Sequence, residues 1–206
     1  MKLCLLPAAT IFACAALVSP VVLSATSDDP AKMPAGTYVM DSTHAFVIGK
    51  VSHFGLSTYV FRFDKFDANY SYDPATPDTA KISVSIDVNS LNTGSDKANK
   101  EFADDFMGAK KTPVATFVSK TITHTGNKAV VIGDFTLNGV TKPVTLDVTF
   151  NGYGPLGPMG MLGTKAGFTA SGVIKRSEFD LNKYLPAVGD DVAIEVNAEF
   201  VAKKKK

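Results

Sequence analysis

From Val47 to Phe63 apolar and polar residues alternate, the chain turns once around Gly55, and the alternation resumes. One face carries Val47, Gly49, Val51, His53, Ser57, Tyr59, Phe61 and Phe63, and the other carries Lys50, Ser52, Thr58, Arg62 and Asp64. Successive strand side chains project to opposite faces, so this pattern predicts a hairpin with one dry and one wet side. With Gly55 at its centre, residues 49 and 61 face each other. The alternation recurs from Ile82 to Val88, from Val144 to Phe150 and from Val192 to Phe200. Asn138-Gly139, set between two such runs, predicts a tight turn, because that turn needs positive φ at both central residues. Thr125-Gly126-Asn127 is a weaker turn signal.

One stretch departs from the two-residue period. Phe102, Phe106 and Ala109 recur at helical spacing between Ser95 and Ala109, which predicts a single helix packing both phenylalanines on the sheet and ending near Gly108. Pro155, Gly157, Pro158, Gly160 and Gly163 predict an irregular loop over residues 152–163, read as a loose hairpin connection or as a methionine-bearing gate. Antiparallel strands in this number can close as a soluble barrel, stack as a sandwich or span an outer membrane. The chain has no Trp and closes on four lysines instead of an aromatic strand end, which disfavours the girdled membrane barrel. The expected fold is all-β, an eight-stranded antiparallel barrel with one flanking helix. A barrel of that size is either filled by side chains or holds one small ligand.

The ends change the picture. Lys2 and the mostly apolar run from Leu3 to Leu23 have the layout of a secretory signal, residues 1–25, with cleavage after Ala25 or Ser24 and a retained membrane helix as the competing reading. Residues 26–35 read as a disordered leader, residues 36–202 as the barrel and residues 203–206 as a solvated lysine tail. An exported, non-membrane-spanning mature protein is the consequence. Cys4 and Cys14 both fall in the signal segment, so the mature chain would carry no disulfide and no thiolate ligand; acylation at Cys14 is a lesser alternative. With 21 basic and 20 acidic residues there is no basic field to draw nucleic acid. The sequence leaves a homodimer open.

Candidate chemistry is sparse. His44, His53 and His124 lack the close pairings of strand or helix metal ligands, so no metal is expected. Asp104-Asp105 and Asp190-Asp191 are sequence neighbours that point apart, and no Gly-x-Ser-x-Gly elbow is present, so no catalytic residues are assigned. His53 shares the dry face beside the turn and belongs at the lumen rim, where it either meets a polar head group or satisfies a backbone carbonyl. Inward parity marks Tyr59, Phe61, Phe63, Leu137 and Phe106 as lumen-lining, together with Val47 and Val51 on the same hairpin face. Phe117 and Phe168 read as core phenylalanines that become lining if the lumen is hollow. Arg176 could meet an anionic head group or pair with an acidic neighbour.

Several motifs in order carry a family resemblance: Asp41-Ser-Thr-His44, His53-Phe-Gly-Leu-Ser57, Asp105-Phe106 followed by Thr112-Pro-Val-Ala-Thr-Phe117, then the run Gly133 to Val144, Gly167-Phe-Thr-Ala170 and Arg176-Ser-Glu-Phe179. From about Gly36 to Ala202 the chain resembles the YceI-like family of polyisoprenoid-binding, lipocalin-like periplasmic proteins. The resemblance implies an exported barrel whose lipophilic tunnel holds an isoprenoid or other amphiphile, with the lipid as ligand, no cofactor and no catalysis. It differs from the family where Gly49 replaces a frequent aromatic, Phe61 a frequent Gly, and Asp180 a Gly. Phe61 is expected to fill the space above Gly49, since cores tolerate volume-conserving exchanges, and Asp180 to reshape its turn. A lipid carrier or scavenger is the favoured reading; a lipid-modifying enzyme using His53, or a filled barrel binding a protein partner, are the alternatives.

Overall fold

The long alternating runs become long strands. The computed structural model describes residues 26–157 and 160–203, so the expected signal segment with Cys4 and Cys14, and Lys204 to Lys206, lie outside the described residues. Ten strands form: β1 (Gly36–His53), β2 (Ser57–Phe63), β3 (Phe66–Tyr72), β4 (Lys81–Asp87), β5 (Leu91–Asn92), β6 (Val114–Thr125), β7 (Lys128–Leu137), β8 (Val140–Leu156), β9 (Gly163–Lys175) and β10 (Val188–Ala202). Eight of them make a ring in the order β1-β3-β4-β6-β7-β8-β9-β10, which closes when β10 pairs with β1. β2 continues the line of β3 along the other half of β1, where Val47 opposes Phe63 and Gly49 opposes Phe61 as the alternation predicts. Closure leaves no long unpaired edge in the ring and turns one face of every strand into a lumen.

Turn chemistry sets the register. Asn138 and Gly139 take φ of 51° and 79°, joining β7 to β8 with Leu137 opposite Val140. Asp41-Ser-Thr-His44 forms a bulge: β1 advances from Met40 to Ala45 while β10 moves only from Phe200 to Ala198. Such an insertion bends a strand and re-aims its side chains. Asp180 takes φ 61°, the left-handed conformation open to glycine and tolerated by aspartate.

The expected helix is present as α1 (Asp96–Glu101), continued by a wider π-helical turn over Phe102–Phe106. It lies over one end of the barrel. There Phe102 stacks on Tyr59 with ring centres 5.0 Å apart, and Phe106 meets Tyr184 at 5.7 Å. Lys183 Nζ donates to Asp105 at 2.6 Å and sits over the Phe106 and Tyr184 rings, tying the helix to the loop that precedes β10.

Two expectations are corrected. Residues 26–35 are not a disordered leader: Ser27 exchanges two 2.8 Å backbone hydrogen bonds with Tyr153, Pro30–Lys32 form a turn of 3-10 helix capped by Asp29, and Met33 is buried. The hydroxyls of Tyr72 and Tyr38 donate to the carbonyls of Pro30 and Pro34 at 2.8 and 2.6 Å. Composition suggested disorder, but one apolar side chain and two carbonyls find partners only once the barrel exists. The irregular loop is also shorter than expected, because β8 runs to Leu156. Gly152 and Gly154 belong to that strand, where a Cβ would approach Ser27 and Thr26 to 3.0 Å; these glycines admit the leader instead of loosening a loop.

Met33→Ala should therefore lower stability by about 2–4 kcal/mol, the usual range for emptying a fully packed methionine site. Urea denaturation checks this, and a loss under about 0.5 kcal/mol, as at an ordinary surface site, would mean the segment does not close the barrel.

Candidate functional site

The inward faces do not meet in the middle. They leave two chambers in line, an inner one of about 210 Å³ and an outer one of about 250 Å³. Val47, Phe63, Phe117 and Phe168 line the inner chamber, whose far end is closed by Pro30, Met33 and Tyr72. Val51, His53, Tyr59, Phe106 and Arg176 line the outer chamber beneath the helix. Phe61 and Leu137 belong to both, as do Met107, Ile174 and Val192, so these five side chains form the neck between the chambers. All residues singled out by parity thus border one chamber or the other. Met107, Ile174 and Val192 were missed as neck residues, although Met107 directly follows the helix phenylalanine that was chosen.

The neck originates in the first hairpin. The Phe61 ring lies across Gly49 so closely that a Cβ at position 49 would fall among the ring carbons. Across the hairpin pair the Phe61 ring thus occupies the space above Gly49, as expected. The ring then turns edge-on to Phe63, 5.9 Å between centres. Because it reaches both chambers, its position decides where the lumen is narrowest.

Polar groups are few and mostly engaged elsewhere. His53 is exposed at the rim of the outer chamber, its ring edge-on to Phe54 at 4.7 Å and without a hydrogen bond among the described residues. Arg176 is only 4% exposed, and among the described residues it forms no salt bridge with an acidic neighbour. Its guanidinium donates to the carbonyls of Leu181 at 2.6 Å and of Gly189 and Val188 at 2.8 Å each, pinning the loop that walls the outer chamber. Burial pulls its pKa below the ordinary arginine value, with nearby Asp190 opposing the shift. Asp190 itself accepts from the backbone N–H and the hydroxyl of Ser177, bonds that hold its carboxyl below the ordinary range. His124, expected as a solvated turn residue, is half-buried with Nε2 3.1 Å from the Pro77 carbonyl.

A cluster that spacing concealed lies outside the lumen. Asp41, His44 and Glu199 bring three possible metal-ligating atoms within 4.8 Å of one another, because the bulge in β1 turns Asp41 and His44 toward β10. Lys165 already supplies a cation there: Nζ lies 2.8 Å from Asp41 and 2.5 Å from Glu199. Thr43 and His44 also hydrogen-bond the Asp41 carboxylate. The hydrogen bond from Lys165, then those from Thr43, hold the Asp41 carboxyl far below its ordinary value. The arrangement clamps the bulge to β9 and β10.

Comparison with known proteins follows the same outline. The YceI-like domain matches residues 38–200. A UPF0312 protein of Pseudomonas putida is 40% identical over 174 residues, covering 82% of this chain and 88% of the relative. Protein YceI of Salmonella arizonae is 35% identical over 173 residues, covering 82% and 89%. Among solved structures, BcnA of Burkholderia cenocepacia is similar with a TM-score of 0.67 at 29% identity, over 78% of this chain and 98% of that one. A polyisoprenoid binding domain from Saccharophagus degradans, implicated in plant cell wall breakdown, shares the fold with a TM-score of 0.61 at 19% identity, over 81% of this chain and 98% of that one.

Gly49→Ala alone should cost about 1–3 kcal/mol through overpacking against Phe61. Combining it with Phe61→Leu should recover most of that loss, as a double-mutant cycle by thermal denaturation would show; simple additivity would deny the contact. The Asp41 carboxyl is lowered on folding, so its contribution is complete above the ordinary carboxylate pKa and is lost as pH falls through the depressed folded-state value. Asp41→Asn should therefore reduce stability at neutral pH, by roughly 1 kcal/mol for so solvent-accessible a pair, and flatten the acid limb of a stability-against-pH curve.

Proposed function

The chain belongs to the YceI-like family, and we propose that it holds a long-chain isoprenoid-type or other amphiphilic lipid inside the barrel, as an exported periplasmic carrier or scavenger without catalysis. The observation that carries this reading is the pair of apolar chambers joined at a neck of five side chains. An apolar cavity of about 150 Å³ accepts benzene, so either chamber has room for part of a hydrocarbon chain. Small-molecule pockets begin near 300 Å³, a size reached only by the two in line, which favours an elongated guest over a compact one. Burial of such a chain yields about 25 cal/mol per Å² of apolar surface.

The chemistry of the lining supports holding over turnover. His53 is at the exposed rim with its ring free, and Arg176 spends three donors on backbone carbonyls. The Saccharophagus domain that shares this fold is a polyisoprenoid binding domain, and an apolar lining of this kind suits a ligand of that class. Export rests on the apolar run after Lys2.

Native mass spectrometry after gentle purification tests the reading. The wild-type protein should carry a lipid, or take one up when offered a prenyl alcohol. Phe61→Asp should abolish retention while circular dichroism reports an intact barrel, because a carboxylate at the neck is not compensated there. His53→Ala should only weaken retention, by a few-fold. Wild-type protein that neither carries nor accepts lipid would end the proposal, and chemical conversion of the bound lipid would favour the enzymatic alternative.

A further inference from the structure

Three tyrosines close the inner end of the lumen, and they are not equivalent. Tyr38 and Tyr72 each donate a hydrogen bond to a carbonyl of the N-terminal segment. Tyr70 lies between them in the sheet, inward on β3 opposite Tyr38 of β1 and Ile82 of β4. It is 9% exposed and lines the inner chamber. Its ring crosses toward Phe168 of β9 at 5.1 Å and Phe200 of β10 at 6.2 Å, with Tyr72 at 5.9 Å on its own strand. Yet its hydroxyl has no hydrogen-bond partner among the described residues, and it is not one of the sealed polar atoms. This inward, nine-tenths buried side chain borders the inner chamber.

A hydroxyl that faces an apolar chamber without a protein partner gains from one supplied by water or ligand. Building on the lipid-holding reading above, we propose that Tyr70 is the polar anchor of the inner chamber and receives an uncharged oxygen of the ligand (an alcohol, ketone or quinone), so that the lipid lies oxygen-inward. Charge does not suit this end. Burial, with Tyr72 and Tyr38 nearby, keeps the Tyr70 phenol protonated well above the ordinary range. The cationic or titratable groups bordering the chamber, His124 and Lys128, are respectively bonded to the Pro77 carbonyl and exposed on the hairpin. At the opposite end Phe54 and Tyr184, which line the outer chamber beside His53 and Glu101, and neighbouring Leu56 are 59%, 57% and 88% exposed. A hydrocarbon tail emerging there would meet surface of its own kind.

Two probes of one skeleton test the assignment: hexahydrofarnesol, and farnesane, which lacks only the hydroxyl. Affinities for delipidated wild-type protein, Tyr70→Phe and Tyr72→Phe are compared by native mass spectrometry. Wild type should favour the alcohol about fivefold, the worth of one neutral hydrogen bond. Tyr70→Phe should bind the two within twofold, with farnesane held at least as well as by wild type. Tyr72→Phe should melt at a lower temperature but keep the preference, separating a structural hydroxyl from a ligand-facing one. Persistence of the preference in Tyr70→Phe, or its absence in wild type while both probes bind, overturns the anchor and leaves lipid holding intact. Failure of wild type to hold either probe overturns both.

Discussion

Pairing of β10 with β1 is the constraint on which the rest depends. An open sheet would expose one dry face and need a second layer to cover it. Closing the ring makes the dry face its own cover, and every inward side chain then competes for the same axial space. Where bulky residues converge, as at the Phe61 neck, the lumen narrows. Where they stand apart, it is hollow.

The neck shows how few side chains set the internal shape of such a lumen. Gly49 makes room for the Phe61 ring, and Met107 reaches the same point from the end of the helix. A large residue opposite a small one at one hairpin pair thus helps to divide the lumen into two chambers. The helix and the loop before β10 cover the outer chamber, held by Lys183 on Asp105 and by the Arg176 bonds to the loop carbonyls. At the other end the leader docks through Met33 and the two tyrosine hydroxyls. Both closures consist of short segments on a rigid ring, a common arrangement for binding sites.

Strand parity was legible in the sequence because side-chain direction in a strand depends only on local geometry. The register of the first hairpin, the helix near Phe102 and Phe106, and the Asn138-Gly139 turn follow from periods of two and of 3.6 residues and from φ preferences. The same parity placed His53, Tyr59 and Phe61 beside the lumen. It could not tell which long-range partners each polar group would find. Arg176 looked available because its three carbonyl acceptors come from a loop whose return path is set by β10. Asp41 and His44 met Glu199 and Lys165 only through the bulge and the closure of the ring.

By itself, then, the chain determined that it forms strands, which side of each is dry, and that the dry side is rich in phenylalanine without tryptophan. Tertiary structure decided that the dry sides leave two chambers, that the apparent leader is one of the barrel's closures, and that Tyr70, unlike Tyr38 and Tyr72, has no hydroxyl hydrogen bond among the described residues. The physical reason is range. Side-chain direction and turn preference act over a few residues, whereas cavity volume and hydrogen-bond satisfaction are sums over strands far apart in sequence, fixed only when the ring is closed.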